Sequence, residues 1–202
     1  MSANGPELIL ASTSKARARV LLSAGLSFAV EPSDLDENPI KKQEAEKGSD
    51  AEAVAHVLAK AKALSISARH PGSMVIGCDQ MLDCDGVWYN KPATDAMVAE
   101  QLKSLRGKTH KLVSAVSMVR GGEELWHSVG VTRLTMRDFS DDFLDDYIDK
   151  VGRLVKGSVG AYHFEGLGIQ LFEKIDGDYF TILGLPLLPV LEFLRTEGLV
   201  QR

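Results

Sequence analysis

Leu8-Ile9-Leu10-Ala11, then Ser12-Thr13-Ser14, then Lys15-Ala16-Arg17, is the stretch that decides the fold class. Four consecutive apolar residues fit a buried strand. Ser14 is a good helix N-cap, Ala18, Leu21 and Leu22 recur at helical spacing, and Gly25 is a natural stop. The unit is strand, polar turn, helix, with the turn at the C-terminal end of the strand. A helix N-terminus in that place attracts anions, because its free N–H groups and its dipole both point outward.

The same grammar extends along the chain. Phe28-Ala29-Val30 predicts a second short strand. Pro32 to Asp50 is polar, carries Asp34, Asp36, Glu37, Glu44 and Glu46, and is expected to be a long mobile loop. Asp50 to His70 turns helical, with Val54, Val57, Leu58, Ala61 and Leu64 on one face and Lys62 at its edge. Met74 to Asp79 predicts a buried strand that ends in a carboxylate. Asp83-Cys84-Asp85-Gly86 signals a hairpin turn into Val87-Trp88-Tyr89, followed by Asn90-Lys91-Pro92. Thr94 caps a helix with the stripe Val98, Leu102 and Leu105, closed by Gly107. Leu112–Val119 and Leu125–Met136 predict strands joined at Gly121-Gly122. Ser140 caps a helix with Phe143, Leu144, Tyr147 and Ile148 as its stripe. Gly157 to Gly168 is glycine-rich and irregular, Ile169–Ile175 predicts a strand, and Gly184-Leu185-Pro186 opens the last helix. Helices alternate with strands and two hairpins interrupt them. The expectation is one α/β domain, with a mixed, twisted sheet flanked by helices.

The 202 residues are 45% hydrophobic and 25% charged, ordinary for a globular chain and enough to bury a core. The net charge of −5 is a poor footprint for duplex nucleic acid, so no nucleic-acid partner is expected. Nucleotides remain open, because metal ions and a few lysines can neutralise phosphates. Two cysteines, Cys78 and Cys84, make no disulfide framework and suit a reducing, cytoplasmic compartment. No apolar run approaches the roughly 20 residues of a membrane span, so no membrane association is expected. Met1 to Glu7 lacks a basic segment followed by an apolar stretch, and no signal peptide is expected.

Phosphate-loop, dinucleotide, zincin, C-x-x-C and nucleophile-elbow motifs are all missing. The five histidines show no ligand spacing and are read as surface or core residues. Asp79 is the most informative residue. A carboxylate ending an apolar strand lies where α/β proteins gather their ligand sites. Ser12, Ser14, Lys15 and Arg17 follow another strand end, and Lys62 and Lys91 add charge. With parallel neighbouring strands, these groups surround one carboxylate as a phosphate site with a metal-binding or base aspartate.

Leu8 to Ser14, Pro32-Ser-Asp-Leu-Asp-Glu37, Gly77-Cys-Asp-Gln80, Asn90-Lys-Pro92 and Gly184-Leu-Pro186 stand in the order and spacing of one family. The chain resembles the Maf family, the septum formation inhibitor-like nucleoside triphosphate pyrophosphatases, from about residue 7 to 198. The resemblance implies a single domain over residues 1–202, of the Maf/ITPase-like class, with a central nucleotide-binding cleft. It also implies a divalent metal, Mg²⁺ or Mn²⁺, frequent homodimers, and hydrolysis of a nucleoside triphosphate to the monophosphate and pyrophosphate. On this resemblance Asp79 is the catalytic acidic residue, general base or metal ligand, and Glu37 helps place metal or water. Lys62 and Lys91 neutralise the triphosphate, and Ser12, Ser14 and Arg17 hold phosphates. Ala16 stands where the family has its first arginine. Lys15 is expected to supply that charge, as a point rather than a planar fork.

Two positions separate branches of the family. Asp79-Gln80 and Glu165-Gly166 resemble the branch acting on 7-methyl-GTP, whereas Asp-Thr and Gln-Gly mark a pyrimidine-directed branch. A carboxylate at 165 accepts both donors of the guanine edge and favours the positive charge of the methylated base. Two other readings stay open. One is a dTTP- and UTP-directed or broad-specificity enzyme. The other is a nucleotide-binding regulator of cell division with little catalysis.

Overall fold

Strand β1 (Leu8–Ala11) lies between β2 (Ala29–Val30) and β3 (Met74–Cys84), parallel to both. Neighbours on both edges and helices over both faces explain why this strand is apolar throughout. The computed structural model describes residues 7–201, so Met1 to Pro6, most of the stretch expected to carry no signal peptide, lies outside it. The sheet runs β2-β1-β3-β5-β6-β7, with β5 at Thr109–Arg120, β6 at Glu123–Met136 and β7 at Phe172–Asp176. A further strand, β4 (Val87–Tyr89), pairs antiparallel with β3, and β7 pairs antiparallel with β6. The expected α/β class and mixed sheet are therefore what the chain adopts.

The residues gather into two compact units. Among the described residues, one comprises those up to Gln80, Val113–Gly130 and those from Asp178; the other comprises Met81–Leu112 and Val131–Gly177. In the first unit, strand alternation sorts the core into two layers. Leu8, Leu10, Met74, Ile76 and Cys78 pack with Val20 and Leu21 of α1 (Lys15–Ser23) and with Leu187, Val190 and Leu194 of α7 (Leu187–Thr196). Ile9, Ala11 and Val75 face the other way, onto Ala63 and Ile66 of α3 (Ala51–Ser67). In the second unit, α4 (Asp95–Leu105) and α5 (Asp141–Val151) start at the expected caps Thr94 and Ser140. The β3–β4 turn has Asp85 at φ 54° and Gly86 at φ 80°, the left-handed pair a two-residue hairpin requires. No helix among the described residues is long and apolar enough to cross a membrane.

Several expectations need correction. The polar stretch from Pro32 to Asp50 contains a helix, α2 (Asn38–Glu46). It has no apolar stripe; instead Asp36 Oδ1 accepts from the Asn38 N–H, and Lys41 pairs with Glu37 one turn away. The buried carboxylate of Glu44 is satisfied by Lys47 and Ser49. The strand bearing Asp79 does not end there but continues to Cys84. What ends nearby is its pairing with β1, at Ala11 opposite Gly77. Residues 167–171 form a 3₁₀ turn before β7, and a short helix, α6 (Tyr179–Ile182), precedes Gly184.

Helix α3 is rotated from its expected face. Val54 and Leu58 are buried as expected, but Ala55, Ala59 and Ala63 are buried with them, and Val57, Ala61 and Leu64 only partly. The reason is Gly77. A Cβ there would lie 2.0 Å from the Ala59 carbonyl oxygen and 2.8 Å from the Ala63 Cβ. Helix and strand approach through small residues, and Val57 and Leu64 turn partly aside. Gly77→Ala should therefore destabilise the protein by about 3 kcal/mol, at or above the usual range for overpacking. Urea unfolding measures it, and a change under 1 kcal/mol would contradict this account of the contact.

Candidate active site

Helix α3 brings Lys62 to the strand. Its Nζ lies 2.6 Å from Asp79 Oδ1 and 2.6 Å from Glu37 Oε1. One ammonium thus joins a strand, a helix and the residue that precedes α2. Glu37 stands at the N-terminal boundary of α2, and its other oxygen pairs with Lys41 at 3.0 Å. Burial pushes the Glu37 carboxyl upward, but the hydrogen bonds and charges of Lys62 and Lys41 outweigh it and hold the group at about 2. Asp79 is buried, and its Oδ2 has no hydrogen-bond partner among the described residues. A buried carboxylate oxygen without a donor is costly and suits a site awaiting a proton donor or a cation. Carboxylate oxygens are the hard ligands that Mg²⁺ and Mn²⁺ prefer, so Asp79 and Glu37 fit the metal that the family resemblance implies.

The turn after β1 is held by Arg17. Its Nη1 donates to Ser12 Oγ and to the Cys78 carbonyl, both at 3.1 Å, and its Nε donates to the Gly184 carbonyl at 2.9 Å. Ser12 Oγ also accepts from the Ser14 N–H at 3.2 Å, and Ser14 Oγ accepts from the Arg17 N–H as the helix cap. These bonds make Arg17 the clip that shapes the loop in which phosphates are expected. Gly184 is part of that clip. It has φ +91°, and a Cβ there would sit 3.1 Å from Arg17 Nε. In the sequence Gly184-Leu185-Pro186 reads as a helix opening and as one of the family's motifs; no local signal pairs the Gly184 carbonyl with an arginine 167 residues away. Lys15 is exposed on the first turn of α1.

Gln80 follows Asp79 and by alternation takes the opposite face of β3. Its Nε2 donates to Ser114 Oγ at 2.9 Å and to the carbonyls of Thr181 and Ile182, each at 3.1 Å. Ser114 spends its own proton on the Thr181 carbonyl at 2.8 Å, so its oxygen can only accept from Gln80. Three acceptors around Nε2 fix the orientation of the amide. Cys78 is a buried free thiol, and burial pushes it up to about 11, so it acts as a small apolar residue. Lys91 and Glu165 belong to the second unit, where both are exposed.

The Maf-like protein family matches residues 7–197. A Paramagnetospirillum magneticum protein named nucleoside triphosphate pyrophosphatase is 53% identical over 94% of this chain and 98% of its own. Proteins named 7-methyl-GTP pyrophosphatase are similar as well. That of Brucella abortus is 48% identical over 95% of this chain and 96% of its own. That of Rhizobium etli is 47% identical over 96% of this chain and 98% of its own. The chain belongs to the Maf-like protein family.

The bridge makes a pH statement. A carboxyl held at about 2 in the fold, against an ordinary 4.5, adds stability above pH 4.5. That contribution is lost as the pH falls toward 2. In Lys62→Met, Lys41 remains but the Lys62 bond is gone, so Glu37 should titrate clearly above 2 by carboxyl ¹³C NMR, and this acid-labile part of the stability should shrink. A midpoint that stays near 2 in the variant would show that Lys62 does not hold Glu37.

Proposed function

We propose that this chain is a metal-dependent nucleoside triphosphate pyrophosphatase, acting on 7-methyl-GTP or a related modified nucleotide. The single observation that carries the reaction type is the Lys62 ammonium shared by Asp79 and Glu37, with Asp79 Oδ2 left without a donor. Names of relatives in both groups support the activity, and the 7-methyl-GTP relatives support the base.

The chemistry follows from charge and position. Water attacks the α-phosphorus, a new P–O bond forms, and the bond from that phosphorus to the β-bridging oxygen breaks. Nucleoside monophosphate and pyrophosphate leave. Asp79 orients the water and takes its proton through Oδ2, while Lys62 fixes the carboxylate through Oδ1. The N–H groups at the start of α1, with the Ser12 and Ser14 hydroxyls and the Lys15 charge, receive phosphate oxygens in the loop that Arg17 holds. Asp79 and Glu37 would hold Mg²⁺ or Mn²⁺, which when bound neutralises phosphate charge and polarises the reacting phosphorus. By resemblance, Lys91 supplies further charge and Glu165 reads the guanine edge.

Asp79→Asn keeps the shape and removes the base. Its kcat should fall by about 10² or more, with the protein still folded, and wild type should release pyrophosphate and monophosphate. Near-normal turnover in the variant, or orthophosphate and nucleoside diphosphate as first products, would overturn the assignment. For the base, 7-methyl-GTP should rank among the best wild-type substrates in kcat/KM. Glu165→Gln should cost it about tenfold to a hundredfold against UTP and dTTP, the price of one mismatched hydrogen bond. Unchanged ratios among the four nucleotides 7-methyl-GTP, GTP, UTP and dTTP would remove Glu165 from base selection.

A further inference from the structure

The structure brings together two histidines that show no ligand spacing along the chain. His56 on α3 and His127 on β6 stack with ring centroids 3.9 Å apart and planes 21° from parallel. Glu124, also on β6, accepts from His56 Nε2 at 2.8 Å. One ligand atom from each of His56, Glu124 and His127 lies within 4.8 Å of the others. The three share no residue with the group around Asp79.

The carboxylate is built into place. The buried Ser117 donates its hydroxyl to Glu124 Oε1 at 2.8 Å, and Lys60 pairs with Oε2 at 2.9 Å. Burial pushes Glu124 upward, but Lys60, His56 and Ser117 together hold it at about 2, so it is ionised at neutral pH. Side chains that fix a ligating carboxylate from behind are the usual outer partners of a metal site. Two imidazoles and one carboxylate are a borderline donor set. They suit Zn²⁺ and its neighbours rather than Mg²⁺, and three protein ligands leave a fourth position for water or another small ligand.

We propose that His56, Glu124 and His127 form a second metal site, for a divalent transition ion such as Zn²⁺. To take the ion, the exposed His127 ring turns out of its stack on His56, so that one nitrogen of each imidazole and Glu124 Oε1 aim at a common point. His56 then carries its proton on Nδ1, while Lys60 stays on Oε2 and Ser117 stays behind the carboxylate. The competing reading is a plain ion-pair cluster of Lys60, Glu124 and His56, which holds no metal.

The test is Zn²⁺ binding to the full chain by equilibrium dialysis, in excess Mg²⁺ so that hard oxygen ligands elsewhere are occupied. One saturable Zn²⁺ per chain is expected in wild type. His127→Ala should weaken it by at least the roughly 10–100-fold that losing an outer partner costs. His127 is exposed, so this variant should fold; circular dichroism checks it, and Lys60→Met, which removes only an outer partner, should give a smaller loss. Co²⁺ in place of Zn²⁺ should give a visible absorption band in wild type that His127→Ala loses. No saturable Zn²⁺ in wild type, or equal affinity in His127→Ala, would overturn the site and leave the ion-pair cluster.

Discussion

A single ammonium between two carboxylates organises the candidate active site. Lys62 meets Asp79 and Glu37 at equal distance, and the Asp79 side chain is almost removed from water. Carboxylates taken out of water need a partner; Glu37 has Lys41 as well as Lys62, whereas Asp79 only shares Lys62 and has no donor on Oδ2 among the described residues, so it remains short of positive charge. That deficit is what a divalent ion can make good, and a lysine already in place spares the phosphates from facing bare carboxylates. The bridge depends on where α3 lies. Ala59 and Ala63 let the helix approach the strand at Gly77, one turn of contact that sets Lys62 opposite Asp79. A side chain at 77 would move the helix and with it the ammonium.

The second constraint is the Arg17 clip. One guanidinium gathers Ser12 from the first loop, the Cys78 carbonyl from β3 and the Gly184 carbonyl ahead of the last helix. Its planar fork suits this better than a lysine would, because each bond has a fixed direction. The loop at the start of α1 is thereby held before any anion arrives, and little ordering is left to be done on binding. Lys15, exposed beside it, can meet solvent-borne phosphate as a mobile point charge.

Much of this was legible in the sequence, and for identifiable reasons. Leu8 to Ala11 declared a buried strand because every residue is apolar, and Ser14, Thr94 and Ser140 declared helix starts because capping is a local interaction. Lys62 was placed at the edge of a helix face, from which it could turn toward neighbouring structure. Helix α2 escaped notice because its stability comes from charge pairs and caps, not from an apolar stripe. The face of α3 was misjudged because a glycine on another strand, not the helix itself, selects it. The His56 and His127 pair could not be found by spacing, since α3 and β6 meet only in the fold. The Gly184 carbonyl on Arg17 was hidden for the same reason.

The central claim is that water attacks the α-phosphorus in a reaction that needs Asp79. Turnover of 7-methyl-GTP in H₂¹⁸O, followed by mass spectrometry of both products, tests it most directly. The account predicts one ¹⁸O in the nucleoside monophosphate and none in the pyrophosphate. Label in pyrophosphate or orthophosphate, with an unlabelled nucleotide product, would place the attack on another phosphorus and contradict it.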